Sequence, residues 1–372
     1  MTVEATFLLS SVRRFLDPAA PIPDPEKIDW PSLLDLAQAH GVIPMLHAAL
    51  QNVSVPDTAA AQLRSTFENS VRWSLAQAGE LARLAELFDK FGIPMVALKG
   101  PMLSQYLYGD PASRASVDVD VLVKSEDVVQ ARDALLANGY HGTNALPWNS
   151  TSACLRLRGD EMSFVSPLGV SVDVHWRLVP PHFASAFDKT DPWQSLRVAS
   201  LAGHQVQILA PEAQLLFLCA HGAKHMFERL GWICDIARFM VVTPDLDWNL
   251  IVSDAQQAHA LRQVSFSVRL ATDLFGIRSS VELPSDPSVE PLIISVRTRL
   301  LAAGSAEISA LVSTRFILRL LERKNHQVRF LFGEFFTPSE AEYRVLRLPP
   351  WFHFLYYPFR PVRLAWKHTM SR

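Results

Sequence analysis

The sequence predicts an α+β fold in which a small mixed sheet is flanked by helical regions on both sides in the chain. Three observations predict it. Apolar residues recur at spacings of three and four up to about residue 90, and again from Pro211 to about Leu321, the period of amphipathic helices. Between residues 93 and 177 the period shortens to two, and Gly and Pro cut the apolar runs as they do between short strands. Apolar residues make up 49% of the 372 and charged residues 19%, enough to fill a sizeable core. The implied boundaries are an N-terminal helical region over 1–92, a mixed core over 93–208, a C-terminal helical domain over 209–325 and a basic-aromatic segment over 326–372.

Each element has a local cause. Asp29-Trp30-Pro31 puts a cap residue and a proline at a helix start, and Leu33, Leu34, Leu36, Ala37 and Ala39 supply its apolar stripe. A second helix is expected over 75–91, where Leu81, Leu84, Leu87 and Phe88 share a face and Gly92 ends it. Residues 93–98 read as a short buried strand, 101–107 as a short helix and 117–123 as an alternating strand. Ser125 is expected to cap the next helix, which ends near Asn138-Gly139. Residues 154–158, 161–166 and 170–177 then read as a meander, separated by Gly159-Asp160 and Pro167-Leu168-Gly169. Helices return at Pro211-Glu212-Ala213.

Composition excludes several classes. With 35 Lys+Arg against 37 Asp+Glu the net charge is -2, which argues against general nucleic-acid binding. That average hides an asymmetry: residues 311–372 hold 11 Lys+Arg and 4 Asp+Glu, a surplus of 7 that leaves the remainder at -9. Cys154, Cys219 and Cys234 show no CxxC spacing, so neither a disulfide framework nor a zinc ribbon is indicated, and a reducing compartment fits. Phe7-Leu8-Leu9 precedes Arg13-Arg14, the reverse of a secretory signal, and no apolar run reaches the roughly 18–20 residues of a membrane span. A cytoplasmic location without stable membrane insertion is expected.

The chemistry concentrates in Arg114-Ala115-Ser116-Val117-Asp118-Val119-Asp120-Val121-Leu122-Val123. Strand side chains alternate, so Asp118 and Asp120 project together while Val117, Val119, Val121 and Val123 pack on the other side. Two such carboxylates repel unless one stays protonated or a divalent cation joins them. A solvated strand face is the competing reading, and it is disfavoured because aspartate is depleted in strands yet occurs here twice amid valines. Asp173, with His175 on the same face of Ser171-Val172-Asp173-Val174-His175, is the expected third carboxylate. Glu161 competes for that role but sits next to a turn. Lys99-Gly100-Pro101 ends a strand at a helix start, where exposed amides and a lysine suit phosphate. No GxxxxGK[ST] or strand-linked GxGxxG occurs, so P-loop and Rossmann solutions are unsupported.

Asp29-Trp30 with Ala39-His40-Gly41-Val42, Leu98-Lys99-Gly100, Arg114 with Asp118-Val119-Asp120, Asp173-Val174-His175-Trp176-Arg177, and Glu212-Ala213-Gln214-Leu215-Leu216 with the stretch 221–235 together resemble a known family. It is the uncharacterised nucleotidyltransferase family of the polymerase-beta-like nucleotidyltransferase superfamily, and the similarity covers most of the chain. The resemblance implies a small mixed sheet with a two-metal site. Asp118 and Asp120 would bridge two Mg²⁺ ions, and Asp173 would complete the site and assist deprotonation of the acceptor. The enzyme would move a nucleoside monophosphate from a nucleoside triphosphate, ATP being the expected donor, to a hydroxyl of a small molecule, peptide or protein, releasing pyrophosphate.

One departure stands out. The superfamily's glycine-serine turn usually lies about ten residues before the aspartate pair, whereas Gly100 precedes Asp118 by eighteen and is followed by Pro101. Ser104 or Ser116 is the expected substitute for the serine. This departure keeps open a second reading, a protein of the same fold that binds a nucleotide or partner without turnover.

His221, Lys224, His225, Arg229 and Asp235 are expected to line a helical face that closes over the nucleotide, the alternative being ordinary interhelical polar contacts. His221 and His225 have a spacing that can bind zinc, but there is no HExxH. Arg114 either neutralises phosphate or holds the loop before the strand, and His175 either positions Asp173 and substrate or closes the sheet edge. Trp176 and Trp232 are expected in the core. The aromatic and basic tail over 343–367 is expected to pack back on the acidic body, with docking of a peptide or protein partner as the alternative.

Overall fold

The computed structural model describes residues 2–143, 159–284, 286–302, 309–338 and 340–370. The strand expected over 154–158 lies outside them. The N-terminal helices are α1 (Val3–Leu16), α2 (Trp30–Ala39), α3 (Ile43–Ala49) and α4 (Asp57–Lys90). Thr2 caps α1 by accepting the Ala5 amide at 3.1 Å. Helix α4 starts 18 residues before the expected 75. Over its first half the apolar stripe is thin, and residues of good helical propensity such as Ala, Gln, Arg and Glu sustain the helix.

The sheet comprises β1 (Met95–Ala97), β2 (Val119–Val123), β3 (His141–Gly142), β4 (Glu161–Val165), β5 (Ser171–His175), β6 (Leu196–Leu201) and β7 (His204–Leu209). Their spatial order is β3-β4-β5-β2-β1-β7-β6. Strand β2 runs antiparallel to β1 and parallel to β5, and β1 runs parallel to β7, so the sheet is mixed as expected. Helix α5 (Gly100–Tyr108) links β1 to β2, and α6 (Val128–Ala137) follows β2.

One face of the sheet packs on α4 and α6. Val119, Val121, Val123, Val172 and Val174 meet Leu81, Leu84, Phe88, Ala131 and Leu135 there. The opposite face carries the acidic residues and then a small apolar group of Leu98, Leu122, Leu178, Leu209 and Phe217. This two-sided burial follows from the strand alternation.

Two expectations need correction, and one hairpin is new. Val117 is exposed rather than packed, because β1 is only three residues long and β2 joins its ladder at Val119. Ser125 does not cap α6; its hydroxyl donates to the Trp176 carbonyl at 3.4 Å, and Asp127 occupies the cap position. The β6–β7 hairpin was not foreseen in the stretch between 177 and 211. Its turn, Ala202-Gly203, has φ of 50° and 85°, the left-handed pair of a type I′ hairpin. The alternation of Val206 and Ile208 was a usable signal, but β6 is a half-exposed edge strand that lacks an apolar stripe.

The C-terminal helices are α7 (Pro211–Lys224), α8 (Leu230–Val242), α9 (Trp248–Gln257), α10 (Leu261–Phe275), α11 (Glu290–Leu300) and α12 (Ala310–Leu320). They share one hydrophobic core with α1–α3, in which Phe7, Leu33 and Met45 join Phe227, Phe239 and Phe266. Beyond it come α13 (Lys324–Phe336), α14 (Glu340–Val345), a 3-10 turn (Pro350–Leu355) and α15 (Tyr356–Met370). The tail, expected on the acidic body, has its main contact among the described residues with α13. It forms its own small core of Tyr343 and Tyr356 and rests on α13, where the Arg360 Nε donates to the Glu334 carbonyl at 3.0 Å.

Candidate active site

Strands β2 and β5 bring the three aspartates together. Their parallel register sets Asp120 opposite Asp173, and Asp118 lies one same-face step before Asp120. Carboxylate oxygens of Asp118, Asp120 and Asp173 all lie within 4.8 Å of one another. Lys99, at the head of α5, places Nζ 3.0 Å from Asp120 Oδ1, and His175 Nε2 is 3.1 Å from the same oxygen.

Gly100 makes this approach possible. Its φ is +62°, and an added Cβ would stand 3.2 Å from the Asp118 carbonyl oxygen, so a side chain here would be strained and would crowd the start of β2. Pro101 fills a first-turn position that needs no amide hydrogen.

The electrostatics divide the pair. Burial, reinforced by the neighbouring Asp120 charge, pushes Asp118 up to about 7 against the pull of Lys99. Burial opposes ionisation of Asp120 too, but Lys99 and His175 overcome it and hold that carboxyl well below the usual range. A site that must keep one aspartate near neutrality has a use for a cation. Three clustered oxygen donors suit a hard divalent ion, so the residues fit the Mg²⁺ that the resemblance implies.

The aspartates form one wall of a cavity of about 280 Å³. Lys99, Gly100, Arg114 and Ser116 line it on the α5 side, and His221, Lys224, His225 and Arg229 line it from α7 and the start of α8. His221 and His225 pack as tilted rings beside Trp232, with ring centroids 4.8 Å apart and 5.1 and 5.4 Å from the indole. Burial, then the nearby lysines, push His225 down to about 4 and His221 well below its ordinary value, so both rings are neutral near pH 7. Neither ring belongs to a cluster able to hold a metal among the described residues.

Two expected residues stay outside the cavity. Ser104 is fully buried and donates its hydroxyl to the Asp110 carbonyl at 2.7 Å, fastening the loop after α5. Asp235 sits behind the wall, 2.7 Å from Arg114 Nε and 3.3 Å from the Tyr108 hydroxyl. Arg114 therefore lines the cavity while its guanidinium is anchored by Asp235. Ser116 reaches the wall, but its hydroxyl donates to Gln77 Oε1 at 2.5 Å.

Sequence reasoning missed a second group. Asp160, Glu161 and His175 also offer ligand atoms within 4.8 Å of one another, and Lys224 Nζ is 3.2 Å from Asp160 Oδ2. His175 Nδ1 comes within 3.3 Å of Glu161 Oε2 yet is not aligned for a hydrogen bond; the distance establishes an electrostatic contact only. The Gly159-Asp160 turn concealed this role. Trp232 lines the cavity instead of lying in the core, and Trp176 faces a second cavity of about 530 Å³ that shares Leu178 with the first. Trp193 lines that neighbour as well, under Lys124 at 5.8 Å.

A family model described as an uncharacterised nucleotidyltransferase matches residues 26–276. The chain belongs to this nucleotidyltransferase family. The matched region holds the whole sheet and α7–α10, hence every residue of the cavity, and ends before α11. Among solved structures, the nucleotidyltransferase chain is similar to an antigenic nucleotidyltransferase-like protein from Paracoccidioides brasiliensis. The two are 16% identical, with 55% of this chain and 94% of that chain covered and a TM-score of 0.32. No curated protein matches it.

Proposed function

We propose that the protein is a Mg²⁺-dependent nucleotidyltransferase that moves a nucleoside monophosphate from a nucleoside triphosphate to an acceptor hydroxyl and releases pyrophosphate. The observation that carries this reading is the convergence of Asp118, Asp120 and Asp173 within 4.8 Å on one wall of a cavity whose lining also holds Lys99, Arg114, Lys224 and Arg229, with Glu161 and Glu228 among them. Asp118, Asp120 and Asp173 would hold the metal, which supplies charge neutralisation at phosphate when bound.

The chain's own groups divide the remaining work. Lys99 and Gly100, at the head of α5, line the cavity where a triphosphate's negative charge would sit. Arg114, Lys224 and Arg229 add positive charge around it. The hydroxyl acceptor approaches Asp173, whose carboxylate orients it and receives its proton. The neutral rings of His221 and His225, with Trp232, give a nucleobase a surface for stacking. ATP is the donor to test first.

A second reading has its own observation. Ser104 and Ser116, the two expected substitutes for the missing turn serine, spend their hydroxyls on Asp110 and Gln77 respectively. That favours a protein that binds a nucleotide without turnover.

The test incubates purified protein with labelled nucleoside triphosphates, Mg²⁺ and cell extract. A labelled product and pyrophosphate are expected, and Asp118→Ala should reduce both about a hundredfold or more. Equal labelling by wild type and variant defeats the proposal. Metal-dependent triphosphate binding in calorimetry without any pyrophosphate release selects the second reading.

A further inference from the structure

We propose that the C-terminal segment over 343–370 is a docking surface for an anionic lipid membrane, lying on the bilayer without crossing it. It lies outside the region matched by the family model.

The chemistry of the segment is one-sided. From Tyr343 to Arg372 the sequence carries six Lys+Arg and no Asp or Glu. The acidic residue just before it, Glu342, is fully buried and paired with both Arg360 and Arg363, so residues 342–372 together carry six basic groups against one carboxylate, a surplus of 5. Such a surface complements an anionic one.

The apolar groups point outward on a firm support. Tyr343, His353 and Tyr356 pack under the 3-10 turn, with Tyr356 donating its hydroxyl to the Leu346 carbonyl at 2.6 Å and accepting the Leu348 amide at 2.9 Å. The same turn leaves Trp351 79% and Phe354 61% exposed, with Phe352 between them also exposed. Further along, Val362 and Trp366 stand one helical turn apart and are exposed as well. On the neighbouring α13, Val328, Phe332 and Phe335 form an exposed stripe at helical spacing. Large exposed apolar groups in this number mark an interaction surface.

The shape favours a bilayer over a protein groove. Pro349 and Pro350 open the 3-10 turn, and Pro358 and Pro361 lie within α15, so the aromatic tips stand on a short turn followed by a proline-containing helix and not on a strand edge. What remains is a set of separate Trp and Phe tips among arginines, with Arg347 exposed beside them. Trp and Phe partition into the headgroup region while Arg meets lipid phosphate. No helix among the described residues is long and apolar enough to cross a membrane, which agrees with surface attachment.

The experiment is vesicle flotation with the full chain, using phosphatidylcholine alone and phosphatidylcholine mixed with phosphatidylglycerol. Binding to the mixed vesicles, little binding to pure phosphatidylcholine and a loss as salt rises are expected. The W351S/F352S/F354S variant should bind at least about tenfold less while keeping the wild-type circular dichroism spectrum and melting curve. R347E, which leaves the aromatic tips in place, should shift the salt dependence toward weaker binding. Failure of the wild type to float, or equal flotation on both vesicle types, overturns the proposal. So does flotation unchanged in both variants. A concentration-dependent dimer or retention on nucleic acid, lost in W351S/F352S/F354S while wild-type flotation is absent, assigns the surface to another partner and equally overturns it.

Discussion

Asp235 does its work without reaching the cavity. It and Arg114 are both buried, 121 positions apart in sequence, and their contact at 2.7 Å fixes the guanidinium that faces the site. Burial pushes the Asp235 carboxyl up even against the pull of Arg114, a measure of what desolvating it costs. Removing one member leaves the other charged and unpaired in the interior. Asp235→Ala is therefore expected to lower unfolding free energy by about 3–5 kcal/mol, measured by urea denaturation. A loss within the error of the measurement would show that Arg114 finds another anion. The sequence made Arg114 and Asp235 visible as polar residues near the site, but no local signal pairs residues so far apart. By contrast, the alternation around Asp118 and Asp120 is a property of a few neighbouring residues, and it placed their shared face correctly.

At the scale of elements, the connection between α7 and α8 fixes the second wall. Met226 and Phe227 both adopt left-handed backbone, with φ of 52° and 48°. The Phe227 amide donates to the Gly222 carbonyl at 2.7 Å, and Arg299 donates to the Met226 carbonyl. The strained turn persists because the Phe227 ring fills the space over Gly222 and lies wholly in the core. A Cβ on Gly222 would come within 2.2 Å of that ring. Gly222→Ala should thus cost about 1–3 kcal/mol in stability and displace Lys224 and His225. Thermal melting and nucleotide calorimetry on the one variant check both effects, and an unchanged nucleotide affinity would separate the turn from the site. Glycine in a helical pattern gave no hint of this contact. The strand order likewise needed the three-dimensional ladder: β2 pairs with β5 across two intervening strands, and only that register sets Asp173 opposite Asp120.

For the molecule as a whole, burial of neutral histidines ties stability to pH. An unfolded histidine titrates near 6.5, whereas His225 takes up its proton in the fold only near about 4, and His40 and His221 are lowered in the same direction by burial. Above 6.5 both states are neutral at these sites and the stabilising contribution is complete. As pH falls from 6.5 toward 4 the unfolded chain binds more protons, and the contribution is lost. Asp118 acts in the opposite sense, since its carboxyl is raised to about 7 and protonating it relieves the fold. The histidine effect is isolated by difference: between pH 6.5 and 4 the stability of His225→Gln should fall less steeply than that of the wild type. Parallel melting-temperature curves for the two proteins would show that His225 is not buried as a neutral ring.

The sequence by itself determined what depends on near neighbours: the switch of period from helix to strand, the acidic face of β2, the glycine at the head of α5 and the charge surplus of the tail. These are legible because side-chain direction in a helix or strand is set by spacing alone. Tertiary structure decided the rest. It joined helices from both ends of the chain into one core, turned Ser104 and Asp235 into supports, added Glu161 and Asp160 beside His175, and set the tail's aromatic residues outward on α13. Contacts between distant segments follow from how apolar faces and buried charges are satisfied across the whole molecule, and spacing along the chain carries no record of that choice.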